Sequence, residues 1–237
     1  MVHGWLNNIH AWIYPPICVL CGAPGAADRK LCSGCFHGLP WNRHACPRCA
    51  APLPTETRSL LCGSCLRAPP PWEAAACPLL YDWPLDQLIQ RFKFNGDLAM
   101  GRLLGELLAQ FLTAGEFSRP DLLVPVPLHA ARLRERGFNQ ALELARPVSR
   151  RLRLPLAHSL CVRVRDTAVQ SQLQAAARRR NLRDAFRVTR PLHGVHVAVI
   201  DDVLTTGATV AALTGVLRAA GAARVQVWGL ARAGHPV

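Results

Sequence analysis

Four C-x-x-C pairs packed into 48 residues are the strongest constraint on this 237-residue chain: Cys18/Cys21, Cys32/Cys35, Cys46/Cys49 and Cys62/Cys65. The intervals between successive pairs are 10, 10 and 12 residues. A tetrahedral zinc ion takes four thiolates at about 2.3 Å, and a C-x-x-C knuckle supplies two from one tight turn. Two knuckles joined by a short loop close one site, so eight cysteines make two all-thiolate sites with no open position. Such sites are structural rather than catalytic. Turn residues fit this reading, with Gly22 after the first pair, Gly34 and Gly63 inside the second and fourth, and Pro47-Arg48 inside the third. Backbone N–H groups in such turns can bond the thiolates. Sequential pairing is favoured: Cys18, Cys21, Cys32 and Cys35 on one ion, Cys46, Cys49, Cys62 and Cys65 on the other. The spacing leaves interleaved pairing open, and redox pairs are the competing use of the motif. Cys77 and Cys161 stand alone and read as small buried apolar residues.

Half the residues are hydrophobic and 18% are charged, which excludes a disordered or fibrous chain. No run of 18 apolar residues suggests a membrane span. Met1–His10 lacks a basic start followed by an apolar stretch, so the expected location is cytoplasmic, where ten cysteines are not a disulfide framework. Trp5, Ile9, Trp12 and Ile13 recur at helical spacing, as a stripe expected to pack on the neighbouring module rather than on a membrane or partner.

Residues 1–70 read as a double zinc-ribbon module with a short N-terminal helix, ending at the proline run Ala68–Pro71; residues 71–237 read as a second domain. In the latter, Leu85, Leu88, Ile89 and Phe92 predict a helix ending near Asn95-Gly96, and Leu98–Leu112 predicts another. Leu122–Val126 and Leu160–Val164 read as strands, and Phe138–Arg151 as a helix that Pro147 kinks or shortens. Val195–Ile200 reads as a central strand closed by Asp201-Asp202, Thr209–Ala220 as a helix and Val225–Leu230 as a last strand. This alternation predicts an α/β domain with a parallel sheet.

One segment carries chemistry: Val199-Ile200-Asp201-Asp202-Val203-Leu204-Thr205-Thr206-Gly207-Ala208-Thr209. An apolar strand ends in two carboxylates, and a Thr/Gly loop then opens a helix. Loop N–H groups and the helix N-terminus suit a phosphate dianion, Gly207 permits close approach, and the Thr hydroxyls donate further bonds. Two ionised carboxylates suit the adjacent hydroxyls of a ribose. A phosphate beside a diol describes a ribose 5-phosphate.

This segment resembles the signature of type I phosphoribosyltransferases, which bind phosphoribosyl pyrophosphate (PRPP) with Mg2+. Leu123-Val124-Pro125-Val126-Pro127-Leu128-His129, with Arg132, Arg134 and Arg136-Gly137-Phe138-Asn139-Gln140-Ala141, resembles the ComF family. So do Phe92-Lys93-Phe94 with Gly96-Asp97, the set Arg163, Thr167, Gln170, Leu173, Arg178, Asn181 and Ala185-Phe186, and the N-terminal C-x-x-C pairs. The likeness runs from about Cys18 to Arg232. It implies a type I phosphoribosyltransferase-like domain behind a double zinc ribbon, and a role in natural competence alongside other competence proteins. It also places Asp201, Asp202, Thr205, Thr206, Gly207, Ala208 and Thr209 on the ribose and 5-phosphate. Val126, Pro127, Leu128 and Arg136 fall at the pyrophosphate, and Arg163 to Arg180 in a loop that closes over PRPP. The chain departs from purine-salvage members at Thr205, which stands where they carry a proton-handling Asp. An active transferase with an unidentified acceptor, or an interaction scaffold with a vestigial site, remain alternative readings.

The formal charge is +13, and residues 131–190 hold 15 Arg against four acidic residues. One small anion cannot occupy that many guanidinium groups. Arg150, Arg151 and Arg153, with Arg178, Arg179, Arg180 and Arg183, form two clusters suited to tracking phosphates, with a solvated face as the alternative. The competence role that the resemblance implies makes single-stranded DNA the expected partner. Phe138 and Phe186 lie among them and read as core residues rather than base-stacking platforms.

Overall fold

The computed structural model describes residues 17–25, 30–55, 60–165 and 184–234. Its centre is a parallel sheet in the order β1-β7-β6-β3, with β2 also on β7. The strands are β1 (Ala74–Ala76), β2 (Leu79–Leu80), β3 (Leu122–Pro125), β6 (His196–Leu204) and β7 (Arg224–Arg232). β4 (Cys161–Arg163) and β5 (Phe186–Val188) form a separate antiparallel pair. The helices are α1 (Ser33–His37), α2 (Gly63–Arg67), α3 (Leu85–Asn95), α4 (Leu98–Ala114), α5 (Ala130–Arg136), α6 (Gln140–Leu152) and α7 (Ala208–Ala219). The expected α/β class with a parallel sheet is the observed one.

Period-two alternation in β6 explains how the sheet is covered. Ala198 and Ile200 face one cluster with Leu104, Leu108 and Leu144 of α4 and α6, while Val197 and Val199 face the other with Val210, Leu213 and Leu217 of α7. Burial of both faces is why the strand reads as an unbroken apolar run. β1 and β2 lie along the same flank of β7, with Cys77-Pro78 between them, and a proline without an N–H is tolerated at such an edge. That edge is covered: Leu80 donates its N–H to Pro40 (2.8 Å), Asn42 donates to Pro78 (2.8 Å), and Trp41 bridges Leu79.

Three boundaries differ from expectation. β6 continues through Asp201, Asp202, Val203 and Leu204, because the long β7 offers partners as far as Leu204↔Arg232. The acidic pair therefore lies within the strand rather than past its end. Pro147 sits inside α6 without ending it, and α6 reaches Leu152. Each cysteine cluster also contains a one-turn helix, α1 or α2, in addition to the short N-terminal helix expected in residues 1–70. Trp5, Ile9, Trp12 and Ile13 lie outside the described residues.

The two cysteine clusters pack on different parts of the core. Cys18, Leu31 and Leu39 belong to the cluster containing Leu79, Leu85 and Leu104, whereas Ala50 joins the cluster on the α7 side. Cys46, Ala51 and Cys65 form a small cluster of their own.

Candidate phosphoribosyl site and metal centres

The eight paired cysteines gather into two groups, Cys18, Cys21, Cys32 and Cys35, and Cys46, Cys49, Cys62 and Cys65, each with all sulfurs within 4.8 Å of one another. The pairing is sequential. Cys21 and Cys32 Sγ are 3.7 Å apart and Cys49 and Cys62 Sγ 3.5 Å, near the separation of about 3.8 Å that a tetrahedron with 2.3 Å Zn–S bonds requires. Backbone N–H groups donate to the sulfurs, Cys35 to Cys32 and Cys62 to Cys46, each at 3.4 Å. Burial works against ionising Cys18, but backbone donors at Cys32, Cys21 and Leu20 outweigh it and bring the thiol down to about 6. Cys46 follows the same logic, with burial opposed by the N–H groups of Cys62, Arg48 and Cys49, and falls to about 7. Cys35 is raised by hydrogen bonds with Cys21 and Cys32. Each group thus favours some thiolate, but four crowded sulfurs ionise together only around a cation. Four soft donors with internal N–H support fit zinc, which would supply cross-linking rather than catalysis.

β3 runs parallel to β6 and ends opposite Ile200, while β6 continues to Leu204. Val126 donates its N–H to Ile200 (2.9 Å), so the Val126-Pro127-Leu128 turn starts beside Asp201. Asn139 caps α6 through Leu142 N–H (3.3 Å) and donates Nδ2 to the Val126 carbonyl (3.0 Å), tying the turn to the helix behind it. Arg163 enters the same region through a bridge with His129. Between β6 and α7, Thr205 and Thr206 are exposed, Gly207 takes φ +75°, and Thr206 Oγ1 accepts from Ala208 N–H (3.3 Å).

The two acidic residues are held differently. Burial, then the neighbouring Asp202 carboxylate, push Asp201 up to about 7 against the pull of the Asp202 N–H, Lys93 and Arg163. Asp201 retains partial exposure as a residue, but its carboxyl end is enclosed. Asp202 forms a 2.8 Å ion pair with Lys93 of α3, with both side chains largely buried.

The family model of a double zinc ribbon domain matches residues 9–66, and that of a phosphoribosyl transferase domain matches residues 139–236. The DNA utilization protein YhgH of Salmonella typhimurium is 39% identical over 223 residues, covering 92% of this chain and 97% of the relative. Competence protein F of Haemophilus influenzae is 36% identical over 229 residues, with 91% and 96% covered. Competence protein ComFC of Bacillus subtilis is 27% identical over 227 residues, with 86% and 89% covered. The chain belongs to the ComF family.

In this ComF chain the fold brings Asp201, Asp202, the 205–209 loop, the Val126-Pro127-Leu128 turn and Arg163 to one sheet edge. Arg136 closes α5, its guanidinium 5.7 Å from the Phe94 ring centre. Arg150, Arg151 and Arg153 are exposed at the end of α6, with no carboxylate partner among the described residues; Arg151 donates Nε to Thr113 (3.3 Å). Arg178, Arg179, Arg180 and Arg183 lie outside the described residues, as do Thr167, Gln170, Leu173 and Asn181. Phe138 packs on Phe92 at 5.3 Å and Phe186 is buried, so both belong to the interior. Cys77 and Cys161 are buried, as small apolar residues would be, and burial pushes both thiols up to about 12.

Four residues at the site had no role in the sequence reading, although Lys93 and Phe94 stood in the Phe92-Lys93-Phe94 motif. Lys93 reaches Asp202, Trp72 lies against Gly207, Arg232 grips the loop backbone, and Phe94 stays 72% exposed beside Arg136. Lys93 had a signal, being one of two lysines among 28 cationic residues, but its partner is more than 100 positions away.

Proposed function

We propose that this chain is a cytoplasmic DNA-utilisation or natural-competence factor that binds PRPP, with Mg2+, or a related phosphoribosyl ligand, and carries single-stranded DNA on its arginine-rich face. The meeting of the acidic pair, the Thr/Gly loop and the β3 turn at one sheet edge carries the ligand assignment. In open α/β sheets this edge is where ligands bind. Asp201 and Asp202 accept from the ribose hydroxyls, Thr205 to Thr209 bind the 5-phosphate, and Val126, Pro127, Leu128 and Arg136 meet the pyrophosphate that brings the metal ion. The names of the relatives, DNA utilization and competence, support the DNA role and other competence proteins as partners. Residues 1–70 act as the zinc-held module and 71–237 as the ligand-binding domain.

Calorimetric titration of the zinc-loaded chain with PRPP and Mg2+ tests the ligand. Binding is expected in the wild type and absent in Asp201→Asn with Asp202→Asn; a silent wild-type titration would remove the assignment. Pyrophosphate release with a candidate acceptor would instead establish a working transferase. For DNA, Arg178→Ala with Arg179→Ala and Arg180→Ala should weaken single-strand binding and flatten its salt dependence, by a log–log slope of about 0.7 for each phosphate no longer neutralised. An unchanged slope would discard these arginines as the DNA face.

A further inference from the structure

Two buried side chains join the second cysteine cluster to the phosphate loop. Arg232, at the end of β7 and 4% exposed, donates Nη1 to the carbonyls of Leu204 (2.7 Å), Thr205 and Ala233 (2.9 Å). Its Nε donates to the carbonyl of Cys49 (3.2 Å). No carboxylate lies within ion-pair distance of this guanidinium among the described residues. Carbonyl dipoles alone offset the cost of burying its charge, so these bonds are not readily exchanged for water. They connect one cysteine of the cluster to the two residues that lead into Thr206 and Gly207, and set a fixed positive charge behind a loop suited to an anion.

Trp72 makes the second link. Its indole N–H donates to the Arg48 carbonyl (2.7 Å), inside the Cys46–Cys49 knuckle. Its ring lies so close to Gly207 that an added Cβ would stand 2.8 Å from Cη2. Arg48 in turn donates to the Glu73 and Pro70 carbonyls, at 3.2 and 3.3 Å, on either side of Trp72. The knuckle therefore touches the loop's entry through Arg232 and its apex through Trp72. A cavity of about 510 Å³ separates α2 and the proline run from Thr206 and Gly207, so these two side chains form the bridge beside it. The first cluster, by contrast, packs on the α3–α4 side of the core, with Arg91 donating to the Val19 carbonyl (3.3 Å).

We propose that the second zinc site is a positioning element for the phosphate loop. Metal bound by Cys46, Cys49, Cys62 and Cys65 fixes the Cys46–Cys49 knuckle, and Arg232 and Trp72 pass that order to residues 204–207. Arg232 is thus a positioning residue, acting through the loop backbone. Loop ordering stands on these contacts alone; its consequence for a ligand rests on the phosphoribosyl reading above. If both hold, zinc at this site strengthens phosphoribosyl binding, and the ligand retains this zinc by the same factor.

Hydrogen exchange of amides 204–209 in the zinc-loaded full chain tests the ordering. Arg232→Lys keeps the charge but cannot span Cys49 and Leu204 with one nitrogen. Exchange should quicken about tenfold in Arg232→Lys and in Cys65→Ser, the loss of roughly one hydrogen bond to a charged donor. It should stay unchanged in Cys21→Ser, with amides 197–200 protected throughout. Unaltered loop exchange in both Arg232→Lys and Cys65→Ser, or an equal rise in Cys21→Ser, would overturn the proposal. If Cys65→Ser does not fold, Arg232→Lys against Cys21→Ser decides it. Calorimetry with ribose 5-phosphate separates the two readings. A loop that responds to the second site in a chain that binds none keeps the positioning role and removes the phosphoribosyl site. Binding with an indifferent loop does the reverse. Where binding occurs, ribose 5-phosphate should raise the affinity for one of the two zinc ions about tenfold in an equilibrium chelator competition, and Arg232→Lys should abolish the gain.

Discussion

Asp201 and Asp202 are adjacent like charges stabilised by unequal means. Lys93 compensates Asp202 directly at 2.8 Å, while Asp201 has burial and its neighbour's carboxylate against it. A carboxyl raised to about 7 in the folded chain holds its proton there more tightly than in the unfolded chain. Its stability contribution is therefore intact below about pH 4 and is lost as the pH rises to 7. Asp201→Asn should remove that loss, raising stability by about 1–2 kcal/mol at pH 8 and little at pH 4. Denaturant unfolding at the two pH values checks this, and an equal effect at both would refute it. The same substitution should abolish ribose 5-phosphate binding. A residue that costs stability and is needed for ligand marks a site held for function. Gly207→Ala should impair binding as well, since φ +75° and the Trp72 ring leave a Cβ no room.

The helical layer depends on small residues where elements approach closely. At Gly105 of α4, an added Cβ would lie 2.8 Å from Pro147 Cγ and 2.9 Å from the Leu144 carbonyl of α6. Pro147, buried inside α6, thus meets a surface with no side chain, and α4 lies against it. Gly105→Ala should destabilise the chain by about 2 kcal/mol, whereas Gly215→Ala in α7, with nothing within 4 Å, should stabilise it by up to about 1 kcal/mol. Urea midpoints of the two variants should move in opposite directions. At this scale the long elements were legible: apolar spacing and the Gly96 cap located α3, where Gly96 takes φ +64°. Among the short ones, β3 and β4 were read as Leu122–Val126 and Leu160–Val164, whereas β1, β2, β5 and α5, of two to seven residues, are too short for a period to repeat and were not.

At the scale of the whole molecule, the metal module and the α/β part share a core. Cys18, Leu31 and Leu39 pack in the same cluster as Leu79, Leu85 and Leu88. Stripping zinc should therefore lower the melting temperature of the entire chain in one transition, rather than melt the ribbons alone. Calorimetry with and without a chelator would show this, and an unshifted main transition would contradict it. Two zinc ions on eight thiolates would also lower the formal +13 to about +9, leaving the excess charge concentrated in residues 131–190.

The sequence alone located the eight paired cysteines, the Thr/Gly loop after the acidic pair, the class of sheet and the arginine-rich stretch, because each is written in residues close together along the chain. Knuckle spacing, strand–loop–helix order and apolar runs are local properties. Only the tertiary structure decided the pairing of the knuckles, the Lys93–Asp202 ion pair and the grip of Arg232 and Trp72 on the loop. The ion pair and the grip on the loop join residues from 27 to 183 positions apart. No local pattern encodes such an arrangement, since it exists only once β7 lies beside β6 and the second cysteine cluster closes against their ends.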